Sequence, residues 1–127
     1  MPEDVAEATT ADRFDVRIDG EPIGVCYVGG ITSSLSSEGD ASLAPIVLRR
    51  AVGPDRTLWG WHTEAGESRR SHRAVSIALL TDAGAPIVTW HLEGCRPVRW
   101  SGPTLDALRP AVACEELEIA FDRVAWS

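Results

Sequence analysis

Residues 90–100, WHLEGCRPVRW, hold the side chains of this sequence that are best suited to chemistry. His91 and Cys95 could serve as zinc ligands, or as a thiol nucleophile with its base. On an extended strand, however, positions four apart are separated by about 13 Å, so the two side chains could share one ion only where Gly94 bends the chain. The pattern favours ordinary strand side chains, and a metal-dependent or thiol enzyme is the weaker hypothesis.

Other catalytic signatures are missing from the sequence. The serine-rich stretch 31–39, ITSSLSSEG, has no GxSxG nucleophile elbow, and a chain without lysine has no Gly-Lys-Ser/Thr phosphate-binding loop. Glu116 and Glu118 are paired carboxylates, but their spacing on an alternating strand is typical of an outward charged stripe rather than an acid/base pair. The sequence therefore predicts no catalytic residue, no metal and no cofactor.

The charge and composition exclude further classes of protein. The chain has 19 acidic residues against 12 arginines and no lysine, so its formal net charge is −7, which argues against sequence-specific binding of nucleic acid. The cysteines at positions 26, 95 and 114 have no CxxC spacing, which indicates reduced thiols in a protein that folds in a cytoplasm. No apolar run approaches the ~18 residues of a membrane helix, so no membrane insertion is expected.

Alternating apolar residues predict strands in the first half of the chain. The stretch FDVRI alternates apolar and charged side chains, and the Asp19-Gly20 dipeptide predicts a hairpin with a second strand, IGVCYVGGI. The stretch 32–42, TSSLSSEGDAS, is polar and without a period, so we expect a loop there. The next stretch, LAPIVLRR, predicts a strand that Pro45 limits to an edge or to a strand start.

One helix is expected after this strand, in DRTLWGWHTEAG. Asp55 is a suitable N-cap, and Gly66 is expected to end the helix. Gly60 in its interior weakens the helical propensity. The residues that recur at helical spacing are Leu58, Trp59, His62 and Ala65.

The second half of the chain predicts strand after strand. RAVSIALLTD and PIVTWHLEGC alternate, and a break at Gly94–Pro97 separates the latter from RPVRWSG, with Cys95 filling a small-residue position at the corner. In the last strand, Leu117, Ile119 and Phe121 oppose the acidic residues. These patterns predict a mainly β fold, a small β-barrel or sandwich of six to seven mostly antiparallel strands with one flanking helix.

The length and composition indicate one domain. A chain of 127 residues buries enough surface for one core and is short for two. Residues 1–12 carry few large apolar side chains and are expected to form a flexible arm. Residues 13–127 are expected to form the single β-barrel domain.

Several stretches, taken in order, resemble the tail tube protein family of contractile phages and phage-derived contractile injection systems. They are FDVRIDGEPIG, LRRAVGPDRTLWGWH, VTWHLEGCRPVRWSGPTLDA and EELEIAFDRV. The resemblance implies a β-barrel related in fold to the type VI secretion tube component, with six copies closing into rings that stack into a hollow conduit. It also implies sheath, baseplate and tip proteins as partners, cargo in the lumen, and neither catalysis nor a cofactor.

The same resemblance implies a place of assembly. We expect the tube to be built in the bacterial cytoplasm as part of a phage virion or of an injection particle that is released or ejected. The segment Thr32–Ser42 is shorter than its counterpart in the family. An alternative is therefore a first-ring or adaptor variant that joins the tube to the baseplate or tip. An alternative from another class is a small β-barrel module that binds a ligand or peptide on its tryptophan-rich surface.

The assembly hypothesis selects two sets of residues. The lumen is expected to be polar and acidic, which would keep acidic cargo from adhering. The candidate lumen-facing residues are Ser76, Glu116 and Glu118. The arginine cluster after the helix could touch nucleic acid or phosphate, but it is more typical of a partner-facing patch. The candidate assembly-interface residues are Thr32, Ser33, Ser34, Leu35, Glu38, Asp40, Arg69, Arg70, Arg96 and Arg99.

Overall fold

The fold is known from a computed structural model, which describes residues 10–67 and 71–127. Most of the predicted N-terminal arm, residues 1–12, lies outside the described residues, as do Arg69 and Arg70. Within them the chain forms mainly strands and one helix. The elements are β1 (Phe14–Ile18), β2 (Glu21–Ile23), β3 (Tyr27–Val28), β4 (Ser33–Leu35), β5 (Ala41–Leu43), β6 (Ile46–Ala51), α1 (Thr57–Glu67), β7 (Arg73–Leu80), β8 (Pro86–Ser101), β9 (Cys114–Ala120) and β10 (Arg123–Trp126).

One large antiparallel sheet carries most of these strands. Its order is β2-β1-β7-β8-β9-β6-β3, and β10 also pairs with β8. The prediction of a mainly β, mostly antiparallel fold with one helix is therefore confirmed. The strands β2 and β3 lie at the two ends of the order, so the sheet is open rather than a closed barrel.

The predicted first hairpin is present. Asp19 and Gly20 both have positive φ, at 51° and 82°, which is the two-residue turn that suits the twist of an antiparallel pair. The predicted second strand is wrong in its extent, because the chain leaves β1 after Ile23. It then crosses to the other end of the sheet, where Tyr27 and Val28 pair with β6.

The stretch that was expected to be a loop is a second, separate hairpin. β4 and β5 pair with each other in a two-stranded sheet of their own. Ser36 closes the turn, because its Oγ accepts hydrogen bonds from the backbone N–H of Glu38 at 3.3 Å and of Asp40 at 3.0 Å. Three-residue strands are too short to show a period in the sequence, so turn chemistry was the only signal.

The long strand β8 joins the two halves of the sheet. Its first part pairs with β7 on one edge and β10 on the other, and its second part pairs with β9. The predicted break at Gly94–Pro97 is wrong, because β8 runs through it as a bulge in which Gly94 has φ 69°. Pro97 is tolerated because this part of β8 has a strand, β9, on one edge only.

The core is formed by the buried face of the large sheet together with Leu58 and Trp61 of the helix. The alternation predicted for the last strand is confirmed, because Leu117, Ile119 and Phe121 are buried. Burial of such apolar surface is the main favourable term in folding. The buried apolar residues are Val16, Ile18, Ile23, Ile46, Leu48, Leu58, Trp61, Val75, Ile77, Leu92, Cys95, Leu117, Ile119 and Phe121.

The helix α1 begins and packs close to the prediction. Asp55 caps it, accepting hydrogen bonds from both the backbone N–H and the hydroxyl of Thr57. The predicted apolar face is partly wrong, because Trp61 is fully buried while Trp59 is 44% exposed. Trp61 faces the core because its indole N–H donates to the backbone oxygen of Ser71 at 2.8 Å, which satisfies its polar atom inside the protein.

Candidate assembly surfaces

The residues that first suggested chemistry do not form a reactive site. His91 is exposed, and its Nε2 lies 2.8 Å from the hydroxyl of Ser127. Cys95 is fully buried, and its thiol donates to the backbone oxygen of Leu92 at 3.4 Å. Burial raises the pKa of the Cys95 thiol to about 11, so the thiol is protonated at neutral pH and is a poor nucleophile.

The described residues do not form a metal site either. Nowhere in 10–67 and 71–127 do three His, Cys, Asp or Glu side chains gather closely enough to hold an ion. The same ranges contain no helix that is long and apolar enough to cross a membrane.

Two of the predicted lumen residues lie on the solvent face of the sheet, next to a predicted interface residue. Glu116 pairs with Arg49 of β6, with Nη2 and Oε2 3.0 Å apart, and Glu118 stands opposite Arg99 in the β8–β9 register. The Arg49 guanidinium also lies over the ring of Tyr27, 4.7 Å from its centroid. This patch therefore combines both charge signs rather than acidic residues alone.

Ser76 lies on the solvent face of the other half of the sheet. It stands in register between Arg17 of β1 and His91 of β8. His91 and Arg99 are eight residues apart on β8, which separates Ser76 from the glutamates by roughly 26 Å of strand. The structure therefore brings Glu116 and Glu118 together but leaves Ser76 apart from them.

The β4–β5 hairpin gathers most of the predicted interface residues. It is called the arm from here on and is distinct from the predicted N-terminal arm. All of them are exposed on it, and Leu35 is 74% exposed although it is a large apolar side chain. A hydrogen bond of 3.0 Å from Ala44 N–H to the Thr32 oxygen closes the base of the arm. The residues that the arm brings together are Thr32, Ser33, Ser34, Leu35, Glu38 and Asp40.

Arg96, also predicted for the interface, makes contacts within the chain. Its Nη1 donates to the backbone oxygen of Gly94 and to Oδ1 of Asp122, both at 2.9 Å. The Asp122 N–H donates in turn to the oxygen of Glu93 at 2.9 Å. These contacts hold the β8 bulge against the junction of β9 and β10, which gives Arg96 a structural role in the monomer.

Sequence reasoning missed a buried charged cluster under the start of α1. Arg50 and Glu115 are 8% and 5% exposed, and Glu115 accepts a hydrogen bond of 2.9 Å from the indole N–H of Trp100. Arg50 also donates to Oδ2 of Asp55 at 3.1 Å. A signal for the cluster was present, because Glu115 falls on the same alternating face as the core residues Leu117 and Ile119.

Sequence reasoning also missed a loop with exposed apolar side chains. The segment 102–113 connects β8 to β9 and presents Leu105, Leu108 and Val112, which are 83%, 90% and 76% exposed. We call this segment the apolar loop. Its charged residues Asp106 and Arg109 lie within 3.9 Å of each other, and Asp106 also accepts a hydrogen bond from the Leu108 N–H. Exposed apolar clusters of this kind mark interaction surfaces.

A second apolar surface is lined by residues of β1, β7, β8 and β10 and of the segment 26–33. We call it the apolar cleft. It has a volume of about 740 Å³, and among its described lining residues none is charged. Trp90 and Trp126 form one wall, with ring centroids 5.3 Å apart in an edge-on contact. Phe14, Cys26, Tyr27 and Ile31 also line it.

An open sheet, an exposed hairpin and two apolar surfaces are features through which a chain can contact other chains. The family model described as the T4-like virus tail tube protein gp19 matches residues 25–125, which is most of the chain. The protein therefore belongs to this tail tube family, as its resemblance predicted. The first hairpin lies outside the matched range, although it was part of that resemblance.

Solved structures share the fold over nearly the whole chain. A chain of the PVC sheath/tube terminator, from an extracellular contractile injection system, has a TM-score of 0.81 at 24% identity, covering 94% of this chain and 96% of that one. A chain of the PVC sheath-tube complex has a TM-score of 0.78 at 23% identity, covering 97% and 93%. Hcp1 from Flavobacterium johnsoniae has a TM-score of 0.68 at 12% identity, covering 89% and 93%. No curated protein sequence matches the chain significantly.

Proposed function

We propose that this tail tube protein is a structural subunit whose six copies close into a ring, and that the rings stack into the hollow inner tube of a contractile apparatus. The observation that carries the proposal is the open sheet, whose end strands, β2 and β3, each have one edge that pairs with no other strand of the described residues. Free edges invite pairing with other chains, and closing a ring of subunits removes them. A head-to-tail contact that closes on itself produces a cyclic ring.

The arm supports assembly in the same way. Its two strands pair with each other and with no other strand of the described chain, and its large side chain, Leu35, faces solvent. An isolated two-stranded hairpin is marginally stable in water. A neighbouring subunit would supply the surface that such a hairpin lacks, and we assign the arm to contacts between subunits.

The solvent face of the sheet is the proposed wall of the conduit. Ser76, Glu116 and Glu118 stand on it, as polar residues do along strands that face water. Arg49 offsets the charge of Glu116, and Arg99 stands opposite Glu118. The charges at this patch therefore offset each other, and any excess negative charge of the wall would lie outside it. The protein has no catalytic role in this proposal.

The proposed partners and location follow from the family. Sheath, baseplate and tip proteins would surround the tube, and cargo would pass through its lumen. The particle would assemble in the bacterial cytoplasm and belong to a phage or to an injection system. A first-ring or adaptor role is the second candidate, and the short arm favours it, because an arm of this length reaches less far toward neighbouring rings.

Electron microscopy of the purified protein tests the proposal. We expect six-fold rings or tubes by negative stain and the corresponding mass by light scattering. Leu35→Ser on the arm should shift the mass toward the monomer. The matched control is Val98→Ser, which shortens an exposed branched side chain of β8 outside the arm. A protein that remains strictly monomeric at high concentration would contradict the proposal.

A further inference from the structure

Several exposed apolar side chains gather at the end of the molecule where β8 joins β9. The apolar loop, which carries Leu105, Leu108 and Val112, ends beside Val52, whose N–H donates to the Ala113 oxygen at 2.9 Å. A small cleft lined by Trp59, Trp100 and Pro103 continues this surface toward α1. Leaving so many large apolar side chains in water is unfavourable, so this end is suited to being covered.

The apolar cleft has no lining residue from the apolar loop, and its tryptophan wall lies at the other end of β8. The strand β9 begins next to the apolar loop and continues as β10 into the wall of the cleft, where Val124 and Trp126 lie. β8 spans the same interval in the opposite direction, from Trp90 in the cleft to Ser101 before the loop. These twelve residues of β8 cover up to roughly 35 Å of strand between that wall and the loop.

The Tyr27 wall of the cleft is nearer to the loop, because Tyr27 pairs with Arg49 and Arg49 with Glu116. Leu105 and Leu108 nevertheless stay 83% and 90% exposed, so the loop does not occupy the cleft of its own chain.

We propose that the apolar loop of one copy docks in the apolar cleft of the next copy, in a head-to-tail contact that joins tube subunits. This inference rests on the proposed function and adds the surfaces that carry it. Because donor and acceptor surfaces are different parts of one chain, the contact repeats from copy to copy. It would bury Leu105 and Leu108 against the aromatic wall formed by Trp90 and Trp126.

The chemistry of the cleft favours this occupant. Its described lining is uncharged, so an occupant with unpaired charges would lose hydration without compensation. In the apolar loop the two charges, on Asp106 and Arg109, already neutralise each other. The chain's own first nine residues, MPEDVAEAT, carry three acidic side chains and no basic one. They are a poorer match for the cleft than the leucines of the loop.

A crosslink between the two surfaces tests the proposal directly. Cys26 lines the cleft and is exposed, so it supplies one thiol without mutation. In a Cys114→Ser background, Leu108→Cys supplies the other, and a short bismaleimide joins them by addition of both thiols. We expect dimers and a ladder of higher species. The matched control, Val98→Cys in the same background, should remain at the monomer mass, as should the background itself.

Removing the side chains tests the same contact without a crosslinker. The double variant Leu105→Ser/Leu108→Ser should raise the concentration needed for assembly by about tenfold or more, since each tenfold reflects ~1.4 kcal/mol of contact energy. Thr104→Ser, in the same loop, should leave it unchanged. Circular dichroism should report wild-type folding for both, because these side chains are exposed.

The outcomes separate this inference from the proposed function. The wild-type chain could form tubes while Leu108→Cys gives no crosslinked dimer and the double variant assembles like wild type. That result would overturn the docking contact and leave the proposed tube subunit standing. A wild-type chain that never assembles would overturn both. A crosslinked product of monomer mass, formed between Cys26 and a Val5→Cys variant, would assign the cleft to the chain's own first residues and also overturn the contact.

Discussion

Strands β6 and β9 place two arginine–glutamate pairs at adjacent positions of one register, Arg49 with Glu116 and Arg50 with Glu115. Because strand side chains alternate, the first pair faces solvent and the second faces the core. The exposed pair is close, with 3.0 Å between Nη2 and Oε2. The buried pair is longer, with 3.8 Å between Nε and Oε2, yet Glu115 is also bonded to Trp100.

The surroundings of an ion pair, rather than its residue types, therefore determine how much the pair contributes to stability. An exposed pair is screened by water and contributes little stability. A buried pair gains little over an apolar pair, but losing one partner leaves a charge in the core. Arg50 Nε has no hydrogen-bond acceptor among the described residues, so Arg50 depends on the carboxylates of Glu115 and Asp55. The buried pair therefore connects the sheet to the start of α1.

The largest expected effect comes from removing one carboxylate of each pair. Glu115→Ala should lower the free energy of unfolding by about 3 kcal/mol, because it leaves Arg50 buried without its core partner. Glu116→Ala should lower it by no more than about 1 kcal/mol. Urea denaturation of both variants measures the two losses of unfolding free energy. Equal losses would show that burial does not distinguish the two pairs.

A double replacement sharpens this result. Arg50→Met combined with Glu115→Leu removes both charges and keeps the volume, so it should be clearly more stable than Glu115→Ala. A double variant less stable than Glu115→Ala would contradict this expectation. It would show that the intact buried pair stabilises the fold more than an apolar pair does.

The next effect concerns the bulge that keeps the core face of β8 in register. A Cβ on Gly94 would clash with Oδ2 of Asp122, and Arg96 holds that carboxylate in place. Gly94→Ala should therefore cost about 2–3 kcal/mol, combining the left-handed backbone with this clash.

Gly20→Ala is the matched control for the bulge. Gly20 also has a positive φ, 82°, but a Cβ there meets nothing within 4 Å, so the cost should be only about 1 kcal/mol. Thermal unfolding measures both variants. A loss of stability as small at Gly94 as at Gly20 would show that Asp122 moves aside freely. The contacts of Arg96 with Asp122 would then not fix the bulge.

A smaller effect is expected at Asp55, the partly exposed member of the cluster. Hydrogen bonds from Thr57 and then from Arg50 lower the pKa of Asp55 from 3.8 to about 2. A lowered folded-state pKa gives stability that is present above the unfolded value and is lost as pH falls through about 2. Asp55→Ala should thus cost about 1 kcal/mol at pH 7 and progressively less below pH 4. A pH-independent cost, measured by urea denaturation, would contradict this assignment.

The smallest effect leaves stability unchanged and compares two thiols. Cys26 is exposed, so we expect it to react with an alkylating reagent in the native protein. Cys95 is buried with its pKa raised to about 11, so it should react only after unfolding. Mass spectrometry of peptides from native and urea-treated protein measures both. Rapid native labelling of Cys95 would show that the face of β8 opposite His91 opens to solvent.

Much of the fold could be predicted from local patterns. The Asp19-Gly20 turn, the Asp55 cap and the alternation of Leu117 with Ile119 each depend on neighbours within a few residues, and each is present. The arm was missed because its strands are too short to show alternation. The continuous course of β8 was missed because Gly and Pro usually end a strand, whereas here Asp122, distant in sequence, supports the bulge.

The candidate surfaces were less predictable. Alternation correctly placed Glu116 and Glu118 on one solvent face, but only pairing with β6 and β8 shows that Arg49 and Arg99 lie beside them. The apolar cleft depends on residues from both ends of the chain, from Phe14 to Trp126, so no local pattern could reveal it.

The sequence by itself determined the class of fold, its strand periods, the helix cap and the family, because these follow from local propensity and from the order of short motifs. The tertiary structure decided which of two chemically identical arginine–glutamate pairs is buried, where the apolar loop and the apolar cleft lie, and that His91 and Cys95 stand on different sides of β8. The physical reason is that burial and proximity arise only when distant segments pair and pack, and those contacts set the energy of every charge and thiol described above.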